Sequence, residues 1–91
     1  MIGLPVIKVE GSKINILILL SKKECSLCNL AEDMVLKNIK ENDWSLKKVD
    51  IENDLNLFDE FKYKIPVLHR PDNNTYIYWP FPLSKLKKFL T

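Results

Sequence analysis

An α/β domain with the element order β-α-β-α-β-β-α, a four-stranded mixed sheet flanked by three helices, is what this 91-residue sequence predicts. Three observations predict it. Ile14 to Leu20 is apolar at nearly every position, as in a central strand covered on both faces. Directly after it, Leu27, Leu30, Ala31, Met34, Val35 and Ile39 recur at helical spacing, with Glu32, Asp33, Lys37 and Lys40 on the other face. Further on, Val67 to His69 and Thr75 to Trp79 flank Pro71-Asp72-Asn73-Asn74, a strong turn cluster. Strands joined through a helix run parallel and hairpin strands antiparallel, so the sheet is mixed.

Each element follows from local chemistry. Residues 1–12 read as an N-terminal arm or edge strand, extended over Leu4 to Val9, with Pro5 restricting any sheet role to an edge. Gly11-Ser12 separates it from a single domain over residues 13–91. The first helix is expected from about Ser26 to about Lys40, stopping near Asn42-Asp43. Leu46 to Ile51 reads as the second strand. Asn53 or Asp54 can cap a helix that buries Leu57, Phe58 and Phe61 and ends before Pro66. Pro80 and Pro82 precede a last helix with Leu83, Leu86 and Leu90 on one face and Lys85, Lys87 and Lys88 solvated, where the lysines suit the negative helix end.

Composition narrows the function classes. At 46% hydrophobic the chain can build one compact core but not two. Its 14 basic residues interleave with 12 acidic ones for a net charge of +2, so no basic stripe points to nucleic acid. The apolar run of Ile14 to Leu20 is far short of the roughly 20 residues that span a bilayer. It follows Lys8, Glu10 and Lys13 and lacks a small-residue cleavage site, so it reads as a buried strand and not a signal sequence. The amino terminus has no arginine and makes a poor transit peptide. A monomer in the cytoplasm is the expectation, with a mitochondrial location left open and no membrane partner.

The chemistry concentrates in Cys25-Ser26-Leu27-Cys28, placed where the apolar strand ends and the amphipathic helix begins. Helix amides and the macrodipole at such a point favour a thiolate over a thiol, which makes Cys25 the candidate nucleophile. Cys28, less than one helical turn on, can close a short disulfide with it. So short a loop would restrain little of the unfolded chain, and the pair makes more sense as reactive thiols than as a staple. Lys22 and Lys23 act in favour of the Cys25 thiolate and Glu24 acts against it. A structural zinc site normally takes four ligands, and two cysteines with one histidine do not supply them, so no metal site is expected. His69 reads as a surface or packing residue and Asp50 as a strand end, in preference to proton-transfer roles. Trp79 and Phe81 read either as a substrate-facing lip or as core or hairpin packing.

The strand, then Cys25-Ser26-Leu27-Cys28 opening a helix, then Ile65-Pro66-Val67 before a hairpin and final helix, resembles the glutaredoxin branch of the thioredoxin fold. More narrowly, Lys22, Val49-Asp50-Ile51 and Tyr63-Lys64-Ile65-Pro66-Val67-Leu68-His69 resemble small glutaredoxin-like proteins. The similarity runs from about Ile14 to the carboxyl terminus. It implies a cis Pro66 lying against the thiol pair, with the Ile65 backbone free to hydrogen-bond a cysteinyl peptide. It also implies that Lys22 holds a glutathione carboxylate or favours the thiolate. No tightly bound cofactor is implied, and glutathione is the expected co-substrate. In the wider family an iron-sulfur cluster shared between two chains is also known.

The departures bear on that expectation. Where glutaredoxins usually carry a Gly-Gly turn and an acidic residue for the γ-glutamyl end of glutathione, this chain has Trp79-Pro80-Phe81-Pro82-Leu83-Ser84. Prolines lack an amide donor, and the aromatics narrow the groove. That weakens glutathione binding and, with it, a glutathione-dependent cluster. Neither Pro-Tyr nor Gly-Pro lies between the cysteines, and no tryptophan precedes Cys25. Two functions of different class are therefore expected from the sequence. One is a thiol-disulfide oxidoreductase reducing protein or glutathione mixed disulfides; the other is a non-catalytic adaptor that binds a protein through the Trp79 to Pro82 surface.

Overall fold

The computed structural model describes residues 14–91. The arm or edge strand expected over residues 1–12 lies outside the described residues. The elements are β1 (Asn15–Ser21), α1 (Ser26–Leu36), β2 (Trp44–Asp50), a 3-10 turn (Ile51–Asn53), α2 (Leu55–Phe61), β3 (Val67–Arg70), β4 (Thr75–Tyr78) and α3 (Leu83–Phe89). The strands form one mixed sheet in the order β2-β1-β3-β4. β1 and β2 are parallel from Asn15 opposite Trp44 to Ser21 opposite Asp50. β3 runs antiparallel to β1 with Leu19 opposite Leu68, and β4 closes the hairpin with His69 opposite Tyr76.

The apolar run of β1 is central because its residues feed two cores in alternation. Leu17 and Leu19 join Ala31, Val35, Leu68 and Leu86 on the face covered by α1 and α3. Leu20 points the other way, to Ile51, Phe61 and Val67, with Ile18 packed against them under α2. A strand with helices on both sides has no polar face to present, which is why the run does not alternate.

The first helix is shorter than its apolar periodicity predicts, ending at Leu36 instead of near Lys40. Asn38 accounts for the stop. Its side-chain amide donates to the Met34 carbonyl at 2.7 Å, the acceptor its own backbone N–H would use in a continuing helix. That N–H turns instead to the Val35 carbonyl at 2.9 Å, and the last turn tightens. Leu27 and Leu30, expected on the buried face of α1, are 47% and 57% exposed, so that face is carried by Cys28, Ala31 and Val35.

The second strand starts at Trp44, two residues earlier than expected, because parallel pairing with β1 begins there. It ends at Asp50, whose carboxylate accepts from the Glu52 N–H at 2.8 Å and caps the 3-10 turn. Asp54 is the cap of α2, accepting from Asn56 and Leu57 N–H at 2.9 and 3.1 Å. In the hairpin, Asn74 takes a left-handed φ of 53°, which asparagine tolerates well. α3 has Pro82 at its N-cap, which makes no side-chain capping hydrogen bond. Leu86 is buried there, while Leu83, expected on the same face, is half exposed.

Arg70, a residue to which the sequence reading gives no role, ties three elements together. Its guanidinium grips Asp72 with both oxygens, Nε to Oδ1 at 3.1 Å and Nη2 to Oδ2 at 2.7 Å. Nη1 donates to the carbonyls of Phe89 and Thr91 at 2.6 and 3.2 Å, holding the end of α3. The guanidinium carbon lies 4.7 Å from the centroid of the Trp44 ring at the start of β2. The Arg70 guanidinium holds the Asp72 carboxyl below the usual carboxylate range, mainly through this hydrogen bonding, and Asp72 in turn raises Arg70.

Candidate active site

β1 delivers the chain to the site. After Ser21 it turns through Lys22, Lys23 and Glu24, and Glu24 takes a left-handed φ of 54° before Cys25 becomes the N-cap of α1. A left-handed glutamate is sterically unfavourable. Cys25 and Cys28 are joined as a disulfide with Cα atoms 5.2 Å apart, and no free cysteine remains. The Sγ of Cys25 also serves as the helix cap, accepting from the Cys28 N–H at 3.2 Å. Cys25 is partly exposed and Cys28 only 3% exposed. The two cysteines are therefore inequivalent: one is partly exposed with an amide donor on its sulfur, and the other is buried.

Beside the pair lies the segment leading from α2 into β3. The β1–β3 register places Leu20 opposite Val67, so the preceding Pro66 stands at the end of β1 from which the cysteine turn departs. Pro66 is fully buried, and the Ile65–Pro66 peptide bond is cis. So is Trp79–Pro80, where the sequence predicts only punctuation before the last helix. The Ile65 backbone is not wholly free as the resemblance implied: its N–H donates to the Phe61 carbonyl at 3.1 Å, an outcome of the way α2 unwinds. Among the described residues no backbone N–H donates to the Ile65 carbonyl.

Leu27, Tyr63, Lys64, Ile65, Tyr78 and Trp79 line an open groove of about 620 Å³. Trp79 packs edge-on against Phe81 with centroids 5.1 Å apart. Phe81 is buried in the core, so of the two aromatics only Trp79 reaches the groove. Lys22 is placed elsewhere. With Lys23, Glu24, Asn29, Lys48 and Asp50 it lines a separate polar hollow of about 350 Å³ at the carboxyl ends of β1 and β2. Ile65 and Leu27 are thus brought together, while Lys22 and Ile65 line different hollows. The groove is not legible in the sequence, because Leu27 fits the helical spacing of the buried face and Tyr63 and Tyr78 carry no local signal. Leu27 lies within the motif, whereas Tyr63 and Tyr78 lie far from it in sequence and only the fold brings them to it.

His69 stacks on Tyr76 with centroids 4.1 Å apart and planes 6° apart, and its Nε2 lies 3.1 Å from Asn74 Oδ1. Asp50 is engaged in its cap. Both side chains are held by these contacts. Among the described residues no three His, Cys, Asp or Glu side chains converge on one point, and no helix is long and apolar enough to cross a membrane. The prolines from Trp79 to Ser84 leave few amide donors for the glutathione that a shared iron-sulfur cluster would need, so the residues present do not fit that group.

Comparison with known proteins sets this geometry in a family. No curated protein matches the chain. A crystal structure of a structural-genomics target protein from X. campestris aligns with a TM-score of 0.69 and 25% identity, covering 81% of this chain and 93% of that one. Its solution structure aligns with a TM-score of 0.68 at the same identity, covering 81% and 90%. The solution structure of a Nitrosomonas europaea protein shares the fold, with a TM-score of 0.66 at 17% identity over 86% of this chain and 93% of that one. The glutaredoxin-like domain family (DUF836) matches residues 16–91, from β1 to the last residue. With that match, the four-stranded mixed sheet and the Cys25–Cys28 pair at the start of α1, the chain belongs to the glutaredoxin-like family of the thioredoxin fold.

Proposed function

We propose that this protein is a thiol-disulfide oxidoreductase that reduces protein disulfides or glutathione mixed disulfides, with Cys25 as the exchanging sulfur and Cys28 as the resolving one. The observation that carries this reading is the asymmetry of the pair: partly exposed Cys25 accepts a hydrogen bond from the Cys28 amide, and Cys28 is buried behind it. An amide donor that contacts a sulfur stabilises negative charge on it, favouring Cys25 as the thiolate when the pair is reduced.

In the reduced protein the Cys25 thiolate attacks one sulfur of the substrate disulfide. A Cys25–substrate bond forms and the first substrate thiol leaves. The Cys28 thiolate then attacks Cys25 Sγ, restores the Cys25–Cys28 bond and releases the second thiol. Two electrons pass from protein to substrate, and glutathione as co-substrate supplies the two that return the protein to the dithiol. Ile65 is the proposed substrate-binding residue, through its carbonyl, with the buried Pro66 beside it positioning that segment. Lys22 is proposed to meet an anionic group of the substrate from the separate hollow that it lines.

Trapping tests the assignment. Reduced Cys28→Ser, mixed with a disulfide substrate, is expected to stop at a mixed disulfide on Cys25 that peptide mapping locates; Cys25→Ser is expected to form none. Adducts forming equally on either cysteine would overturn the roles. The exposed apolar groove supports a second reading, an adaptor that binds a protein through the Trp79 end of the Trp79 to Pro82 segment, and that reading predicts no adduct with either variant.

A further inference from the structure

Resting on the exchange reading above, we propose that the groove beside Cys25 selects an acidic protein segment whose target cysteine is flanked by a large apolar side chain, in preference to glutathione. Three features of the groove carry this. First, its wall is built from large side chains left in solvent: Leu27 is 47% exposed, Tyr78 43% and Tyr63 91%. Contiguous with the disulfide through Leu27 and with Ile65, such a surface gains free energy only when an apolar group covers it.

Second, the wall is poor in backbone donors. The Lys64 and Ile65 N–H groups are both spent on the Phe61 carbonyl, at 2.8 and 3.1 Å, and the Trp79 N–H is spent on the Pro66 carbonyl at 3.2 Å. A small ligand held by its carboxylates finds few partners here, and the cysteine of glutathione is flanked by no apolar side chain. Side-chain burial is left to decide between substrates.

Third, the lip is cationic. Lys64 lines the groove, and Lys62 lies 5.5 Å from the Phe58 ring centroid and 5.4 Å from that of Tyr63. Neither lysine is salt-bridged to a carboxylate among the described residues. Carboxylates on the incoming segment complement this charge, so its flanking polar residues are acidic.

The test is a single-turnover reduction by the pre-reduced wild-type protein. The substrates are three homodisulfide peptides, one acidic with leucine beside cysteine, one acidic with glycine there, and one with leucine but lysines replacing the acids, together with glutathione disulfide. The acidic leucine peptide is expected to react about tenfold faster than the glycine peptide and glutathione disulfide, as burial of one aliphatic side chain allows. In Leu27→Ser/Tyr63→Ser, both at exposed positions, that ratio is expected to fall to about one; Lys64→Glu is expected to shift preference toward the lysine peptide. Equal wild-type rates on the leucine and glycine peptides would overturn the selectivity while leaving the oxidoreductase reading intact. A ratio that survived in the double variant would overturn its assignment to this groove. Wild-type protein unable to reduce any of the four would overturn both.

Discussion

The backbone amide of Cys28 donates to the Sγ of Cys25 at 3.2 Å, so the residue expected to resolve the exchange also stabilises charge on the residue expected to begin it. The same bond caps α1. One local geometry therefore serves the fold and the chemistry.

That asymmetry predicts selective alkylation. In the fully reduced protein, substoichiometric iodoacetamide at neutral pH is expected to label Cys25 at least about tenfold faster than Cys28, since thiolate character and access both favour it. Quantitative peptide mapping reads the ratio. Equal labelling, or faster labelling of Cys28, would contradict the assigned roles.

Glu24 carries the left-handed turn into the site at φ 54°. Glycine adopts that geometry without the side-chain penalty, and Glu24→Gly is expected to raise stability by up to about 1 kcal/mol in urea denaturation, net of the extra entropy of an unfolded glycine. The substitution also removes a negative charge beside Cys25, so its alkylation is expected to accelerate. A loss of more than about 1 kcal/mol would show that the glutamate side chain is holding the turn.

Asp54 caps α2, which carries Phe61 into the second core and leads to the Ile65–Pro66 segment. Asp54→Ala is expected to cost about 1 kcal/mol, and Asp54→Asn a few tenths. Equal losses in the two variants would point to charge and not to the hydrogen bonds at 2.9 and 3.1 Å.

Much of this architecture is legible in the residues, and the exceptions have physical reasons. Ile14 to Leu20 announces a two-faced strand, and Pro71 to Asn74 announces a hairpin, because both signals are local. The end of α1 is less legible: its apolar periodicity continues to Ile39, while a single side-chain bond from Asn38 stops the helix. Leu27 and Leu30 fit the helical stripe but not its buried arc, and sequence spacing alone does not tell core from groove. Arg70 is opaque for another reason. Two of its partners, Phe89 and Thr91, lie 19 and 21 residues away and are reached through backbone carbonyls that carry no residue identity.

The Arg70–Asp72 pair gives a pH dependence of known sign. The folded-state Asp72 pKa is depressed by Arg70, so the carboxylate's contribution is fully present above the ordinary aspartate value of about 3.9 and is lost as pH falls through the folded value. Unfolding curves in the acid range are expected to show Asp72→Asn losing less stability on acidification than wild type. Parallel curves would remove Asp72 from the account. Arg70→Met is expected to destabilise at every pH, since the Phe89 and Thr91 carbonyls lose their donor.

The most direct test of the central claim is a redox titration of the purified chain in glutathione buffers, read by intact mass and peptide mapping. A Cys25–Cys28 disulfide or a glutathione adduct on Cys25, forming and reversing within roughly −220 to −320 mV, is the expected result. Two thiols that stay reduced and unreactive across that span would contradict an exchange function.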